Sequence, residues 1–162
     1  MKKNRISKNW INKQRRDIYV RQSKIEGYRS RAVYKLKEIN DKFNILRNGQ
    51  SIVDLGGAPG SWSQYLSSTL KNTKLLAIDL LEIQEIKNVK LMKGDFTDDI
   101  YKQKIRSFFN TKIDLVISDM AVNTTGNKNL DASRFLFPVV FTAISEITKS
   151  ILVLKKDLIF CL

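Results

Sequence analysis

Asp54, Asp79, Asp95 and Asp119 each stand at or just past the end of an apolar run, and Asp54 opens the glycine-rich stretch Asp54-Leu55-Gly56-Gly57-Ala58-Pro59-Gly60-Ser61-Trp62. A carboxylate at a strand end can grip hydroxyl groups or balance a cation, and glycines let the backbone come close to a ligand. The spacing is not the G-x-G-x-x-G of dinucleotide sites, and a carboxylate ahead of the turn is unfavourable beside a pyrophosphate. A neutral or cationic ligand fits better. Asp79 falls 19 residues after Gly60, about where a doubly wound sheet places the carboxylate that holds ribose hydroxyls. A single aspartate after a strand often only caps the next helix. Four in register, one of them beside a glycine turn, favour a site for a nucleoside that carries positive charge. S-adenosylmethionine joins an adenosine to a sulfonium and meets both requirements. Trp62 packs near such a ligand or fills the core between helix and sheet; its position in the sequence leaves both open.

These side chains need a frame. Ala32, Leu36 and Ile39 at helical spacing predict a helix that stops near Asn48-Gly49. Strand-like runs follow at 51–55, 74–79, 89–92 and 113–118, separated by segments that can be helical, with a fifth near 158–162 after a helix-like stretch from Phe137 to Leu152. The alternation predicts an α/β fold with a mostly parallel sheet buried on both faces. Pro59 and Pro138 fit strand-to-helix transitions.

A chain of 162 residues is one domain's worth. With no histidine and the lone cysteine Cys161, it can form neither an intrachain disulfide nor a His/Cys zinc site by itself. No apolar run approaches a membrane span and no secretory signal is recognisable, so a soluble cytoplasmic protein, expected as a monomer, is the default. The net charge is +13, and residues 1–37 hold thirteen basic and two acidic side chains, so nearly all the excess lies in the first quarter. Six of nine arginines are there (Arg5, Arg15, Arg16, Arg21, Arg29, Arg31), interleaved with Trp10, Tyr19, Tyr28 and Tyr34. Arginine forks suit phosphates and aromatic rings can stack on unpaired bases, so residues 1–30 read as a basic RNA-binding segment ahead of a domain over 31–162. The alternative is a solvated tail whose rings dock on the core. Ile11, Ile18, Val20 and Ile25 are too sparse to form a membrane-binding face.

Three blocks, Arg29-Ser30-Arg31-Ala32-Val33-Tyr34-Lys35-Leu36, Val53 through Tyr65, and Ser118-Asp119-Met120-Ala121, resemble the FtsJ/RrmJ family of ribose 2′-O-methyltransferases in order, spacing and identity, and the resemblance runs from about residue 10 to the end. It implies a Rossmann-like S-adenosylmethionine-dependent methyltransferase that modifies a uridine of large-subunit (23S) ribosomal RNA on assembled particles. By that resemblance Gly60, Trp62, Asp79, Asp95 and Asp119 contact the cofactor, and Lys35 and Asp119 belong to a catalytic Lys-Asp-Lys set, usually with a later glutamate. Asp131 and Arg134 match a family D-x-x-R element.

Two departures accompany the resemblance. Val122 replaces the usual proline after Ser-Asp-Met-Ala, and the chain stops at Leu162, at or just before the strand that carries the family's second lysine. Lys155 and Lys156, placed ahead of a fifth strand at 158–162, would fall at the sheet edge opposite Asp119. The expectation is therefore a prematurely ended copy, lacking its C-terminal strands, impaired in catalysis and poorly soluble because an apolar sheet edge is left uncovered. A non-catalytic RNA-binding protein of ribosome assembly is the alternative function; a small-molecule methyltransferase gives the basic segment no role.

Overall fold

A computed structural model describes residues 17–120, 151–153 and 159–160. Their elements are α1 (Ile18–Ile25), α2 (Val33–Phe43), β1 (Ser51–Leu55), α3 (Ser61–Thr69), β2 (Lys74–Asp79), β3 (Val89–Lys93), α4 (Asp99–Phe109), β4 (Leu115–Ser118), β5 (Ile151–Val153) and β6 (Ile159–Phe160). One sheet runs β3-β2-β1-β4-β5-β6, parallel throughout except for the antiparallel β5–β6 pair. The chain leaves β1 in one direction to make β2 and β3, then returns to the other side of β1 for β4. The order therefore reverses between β1 and β4, and the crevice beyond the carboxyl ends of those two strands is where such a sheet binds ligands.

Alternation along β1 distributes the core between two faces. Ile52 packs with Leu36, Trp62, Leu66, Leu115 and Ile117, the α2 and α3 side, while Val53 and Leu55 pack with Ile105, Phe109 and Val116, the α4 side. Asp54 shares the parity of Ile52 and meets α3; Asp119 follows Ile117 by two and meets α2. Burying these strands on both faces explains their near-continuous apolar character.

Several expectations about the elements need correction. α2 stops at Phe43 with Asn44 in the left-handed conformation, ahead of the expected Asn48-Gly49 stop; asparagine tolerates that geometry and ends the helix earlier. Residues 80–88 hold no helix, because the nine-residue connection from β2 to β3 is too short for a helical crossover, and Ile83 and Ile86 instead bury against Ala77. Pro59 does stand in the transition from β1 to α3, as expected, joined to Ala58 by a cis peptide and followed by Gly60 at the cap. Ile151–Val153, expected at the end of a helix, is a strand parallel to β4, and the run expected as the fifth strand contributes β6 at Ile159–Phe160. A short apolar run has no period that separates helix from strand. Lys155 and Lys156 thus follow β5, so the reason for assigning them to the opposite edge does not hold. They lie outside the described residues, as do residues 1–16, Ala121, Val122, Asp131, Arg134, Pro138 and Cys161.

Candidate functional site

The loop after β1 is fastened to its neighbours on every side. Gly56 and Gly57 both donate their N–H groups to the carbonyl of Ile78, at 2.8 and 3.2 Å, and the N–H of Ala58 bonds Oδ2 of Asp79 at 2.9 Å. Asp79 uses its other oxygen to accept from the N–H of Leu81 at 2.8 Å. Gly60 caps α3 with φ +103°, a conformation that L side chains rarely adopt, and offers no side-chain cap of its own. The capping carboxylate comes from β1 instead: Oδ2 of Asp54 accepts the Ser63 hydroxyl at 2.6 Å, and the Ser63 backbone N–H also bonds this carboxylate. Asp54 is 3% exposed. Burial pushes its carboxyl up to about 6, with the negative charges of Asp79 and Asp119 adding to the rise and the Ser63 bonds opposing it.

On the opposite wall of the crevice, Lys35 of α2 donates from Nζ to both oxygens of Asp119, at 2.8 and 2.9 Å. Their side chains are 40% and 20% exposed, so the pair stands at the surface of the crevice. Trp62 donates its indole N–H to the carbonyl of Ala32 at 2.6 Å, and the Ser30 and Ser61 hydroxyls lie 2.7 Å apart. These bonds join the start of α2 to the start of α3. Between them is a cavity of about 60 Å³ whose lining includes Asp54, Gly57, Ala58, Ser61, Trp62 and Asp119.

The structure therefore brings Trp62 and Asp119 to one cavity, with Lys35 bonded to Asp119. Asp79 reaches its rim only through Ala58. Gly60 is not in the lining: it faces Arg29, Ile83 and Ile86. Asp95 spends Oδ1 on the N–H and hydroxyl of Thr97, 2.8 and 2.6 Å away, the local turn-capping role open to any aspartate after a strand. Asp54 belongs to the lining but was legible only as an acid preceding the turn; nothing in the sequence signals that it is buried and bonded to α3.

The basic segment is partly consumed by the fold. Arg29 directs Nη1 to the carbonyls of Pro59 and Gln84, at 3.1 and 2.9 Å, and Nη2 to that of Glu85, at 2.8 Å. Arg31 is ion-paired with Asp17, the N-cap of α1. Arg29 is thus occupied by backbone carbonyls, while Arg31 keeps half of its side chain exposed beside Asp17. Tyr28, Tyr34 and Tyr65 surround Lys37 Nζ at 4.6, 5.1 and 5.5 Å from their ring centres, so Tyr28 and Tyr34 pack within the domain. Tyr19 stacks on Tyr34 at 5.2 Å yet remains 46% exposed. Among the described residues no group of His, Cys, Asp and Glu side chains could hold a metal ion, and no helix is long and apolar enough to cross a membrane.

Comparison with known proteins agrees with this geometry. The family model for FtsJ-like methyltransferases matches residues 28–161. The ribosomal RNA large subunit methyltransferase E of Pelagibacter ubique is 61% identical over 132 residues, 82% of this chain and 65% of that protein. The protein of the same name from Legionella pneumophila strain Corby is 41% identical over 141 residues, 86% of this chain and 68% of its own. The chain thus spans about two thirds of the length of these relatives. A crystal structure described as a ribosomal RNA methyltransferase from Plasmodium falciparum superposes with a TM-score of 0.69 at 30% identity, covering 77% of each chain. With a Rossmann-like sheet, a glycine loop at its switch point and a family match across most of its length, the chain belongs to the FtsJ-like methyltransferase family.

Proposed function

We propose that the crevice is the active site of an S-adenosylmethionine-dependent ribose 2′-O-methyltransferase that acts on a uridine of large-subunit ribosomal RNA. The observation that carries this reading is the Lys35–Asp119 pair, both oxygens of the carboxylate engaged by one ammonium, at the strand-order reversal beside the glycine loop. The lining suits the donor. The carboxylates of Asp54 and Asp119 tolerate a sulfonium, and Ala58, Pro59 and Trp62 give apolar contact to a nucleoside. The Met120 side chain lies over Gly56, and a flexible thioether can swing aside. S-adenosylmethionine, when bound, supplies a methyl carbon activated by positively charged sulfur.

The residues of the chain do the rest. A ribose hydroxyl becomes a competent nucleophile as its proton passes to a base, the role that the resemblance gives to the second lysine of the Lys-Asp-Lys set, and the oxygen must then stand in line with the methyl carbon. Lys35, whose Nζ donates to both oxygens of Asp119, is placed to stabilise negative charge on the 2′ oxygen. Asp119 holds that ammonium in place and orients the hydroxyl. The names of the relatives support ribosomal RNA as the acceptor.

The test is transfer itself. Large-subunit particles lacking the modification are incubated with the protein and S-adenosylmethionine, and nuclease digests are assayed for 2′-O-methyluridine. The modified nucleoside is expected with the wild type, in the low yield of an impaired chain, and reduced further with Asp119→Asn. No product from wild type, or equal product from both, contradicts the reading and favours a non-catalytic RNA-binding role.

A further inference from the structure

Charge in the domain is divided between the two ends of its strands. Asp54, Asp79 and Asp119 stand at or just past the carboxyl ends of β1, β2 and β4, around the crevice. The opposite end is cationic. Residues 41–50, 71–74 and 110–114, which lead into the same three strands, hold Lys42, Arg47, Lys71, Lys74 and Lys112 against Asp41 and Asp114. Their net charge of +3 exceeds the +2 of all residues beyond 37, so cations are gathered at this end while the remainder is slightly acidic. Hydrogen bonds join the three segments into one platform. The Gly49 N–H donates to the carbonyl of Lys71 at 3.0 Å, the Lys71 N–H to Oδ1 of Asn48 at 2.8 Å, the Asp114 N–H to the carbonyl of Ser51 at 2.9 Å, and Lys74 Nζ to the carbonyl of Phe109 at 3.1 Å.

We propose that this face is a second RNA contact, which holds the sugar-phosphate backbone of a duplex segment at the end of the sheet opposite the crevice. The inference rests on the reading of RNA as the acceptor and adds a docking face about 15 Å from the reacting groups, the length of a five-residue strand. Like charges fixed close together repel one another, and a polyanion relieves that repulsion. Arg47, Lys71 and Lys112 are exposed and make no ion pair among the described residues. Of the two carboxylates, that of Asp114 is already engaged by the Ser51 N–H at 2.8 Å. The aromatic rings here are engaged as well, with Lys42 Nζ 5.1 Å from the centre of Phe43 and Lys74 Nζ 4.9 Å from that of Phe108. The face therefore offers unpaired bases no bare ring to stack on, and what it presents is positive charge on a rigid platform. A duplex, with its bases turned inward and its phosphates outward, is the complementary surface.

The test measures binding of the full chain to deproteinised large-subunit RNA and to a short RNA duplex across a series of salt concentrations. The variant Arg47→Gln/Lys71→Gln/Lys112→Gln removes three exposed charges from the face. A control, Lys90→Gln/Lys93→Gln/Lys104→Gln, removes the same charge from exposed positions on β3 and α4. The first variant should bind both RNAs about tenfold more weakly or worse, with a salt dependence shallower by about two to three phosphate contacts. The control should stay within about threefold of wild type, and S-adenosylmethionine affinity and the urea midpoint should be unchanged in both. Equal losses in the two variants would reduce the effect to net charge and overturn the proposal, as would duplex binding by the first variant that matches wild type. Displacement of the duplex by polyglutamate at equal charge concentration would also overturn it, because the face would then suit an acidic protein as well as RNA. Failure of the wild type to bind either RNA is a separate result and counts against RNA as the acceptor.

Discussion

A methyl group added at Gly60 would stand 2.8 Å from Nη1 of Arg29. The missing side chain at the cap of α3 is what lets the guanidinium pass through to the carbonyls of Pro59, Gln84 and Glu85, so that one arginine ties the α1–α2 turn, the glycine loop and the β2–β3 connection together. Gly60→Ala meets that contact and a second one at 2.8 Å from Ile86 Cδ1, with the backbone already at φ +103°. The expected loss is about 1–3 kcal/mol in urea unfolding, the range for forcing a side chain into a sparsely allowed conformation.

Arg29→Lys keeps the charge and loses the fork, leaving at least two of the three carbonyls without this donor. A destabilisation of about 1–3 kcal/mol is expected. Because the two residues touch, the double variant Gly60→Ala/Arg29→Lys should be less destabilised than the sum of the singles by at least about 0.5 kcal/mol. Additive losses would show that the two residues act separately.

Asp54 sets a pH dependence of known sign. Its carboxyl in the folded protein is raised from the ordinary 3.8 to about 6, so between those values the native state binds more protons than the unfolded chain and stability falls as pH rises. The fall should be complete a little above pH 6 and amount to a few kcal/mol, at about 1.4 kcal/mol for each pH unit between the two values. Asp54→Asn can still accept the Ser63 hydroxyl and should flatten the curve across that window. Chemical unfolding at a series of pH values checks this; an unchanged slope in the variant would assign the dependence to other groups.

The Lys35–Asp119 pair should matter far more to chemistry than to folding. With Lys35 40% exposed, solvent screens the attraction, and replacing it by methionine should cost under about 1 kcal/mol of stability. Loss of a preorganised charge at the reacting oxygen should lower the methyl-transfer rate by about 100-fold or more, measured as kcat with both substrates saturating. A rate within about threefold of wild type would remove Lys35 from the chemistry.

Much of the frame was legible because its signals are local. The runs at 51–55 and 74–79 coincide with β1 and β2, and β3 and β4 match the ranges read from their apolar character to within a residue or two; strands buried on both faces carry that signal in every residue. The resemblance in the blocks around Lys35, Gly60 and Asp119 pointed to the same crevice that the sheet order creates. What remained hidden depends on contacts distant in sequence. Arg29 and Arg31 look alike in a run of basic residues, yet one is directed at backbone carbonyls and the other at Asp17. Asp54 becomes a buried helix cap only once α3 folds back over β1. The packing of α1 beside α2 through Tyr19, Tyr34 and Glu38 was hidden as well, because α1, a helix of eight residues, has almost no apolar stripe to announce it.

The measurement that bears most directly on the site is a calorimetric titration of the protein with S-adenosylmethionine, paired with hydrogen exchange over residues 56–63. Saturable heat with a micromolar Kd and slowed exchange through the glycine loop and the first turn of α3 are the predicted result. No heat of binding, with exchange in that loop unchanged, would contradict it.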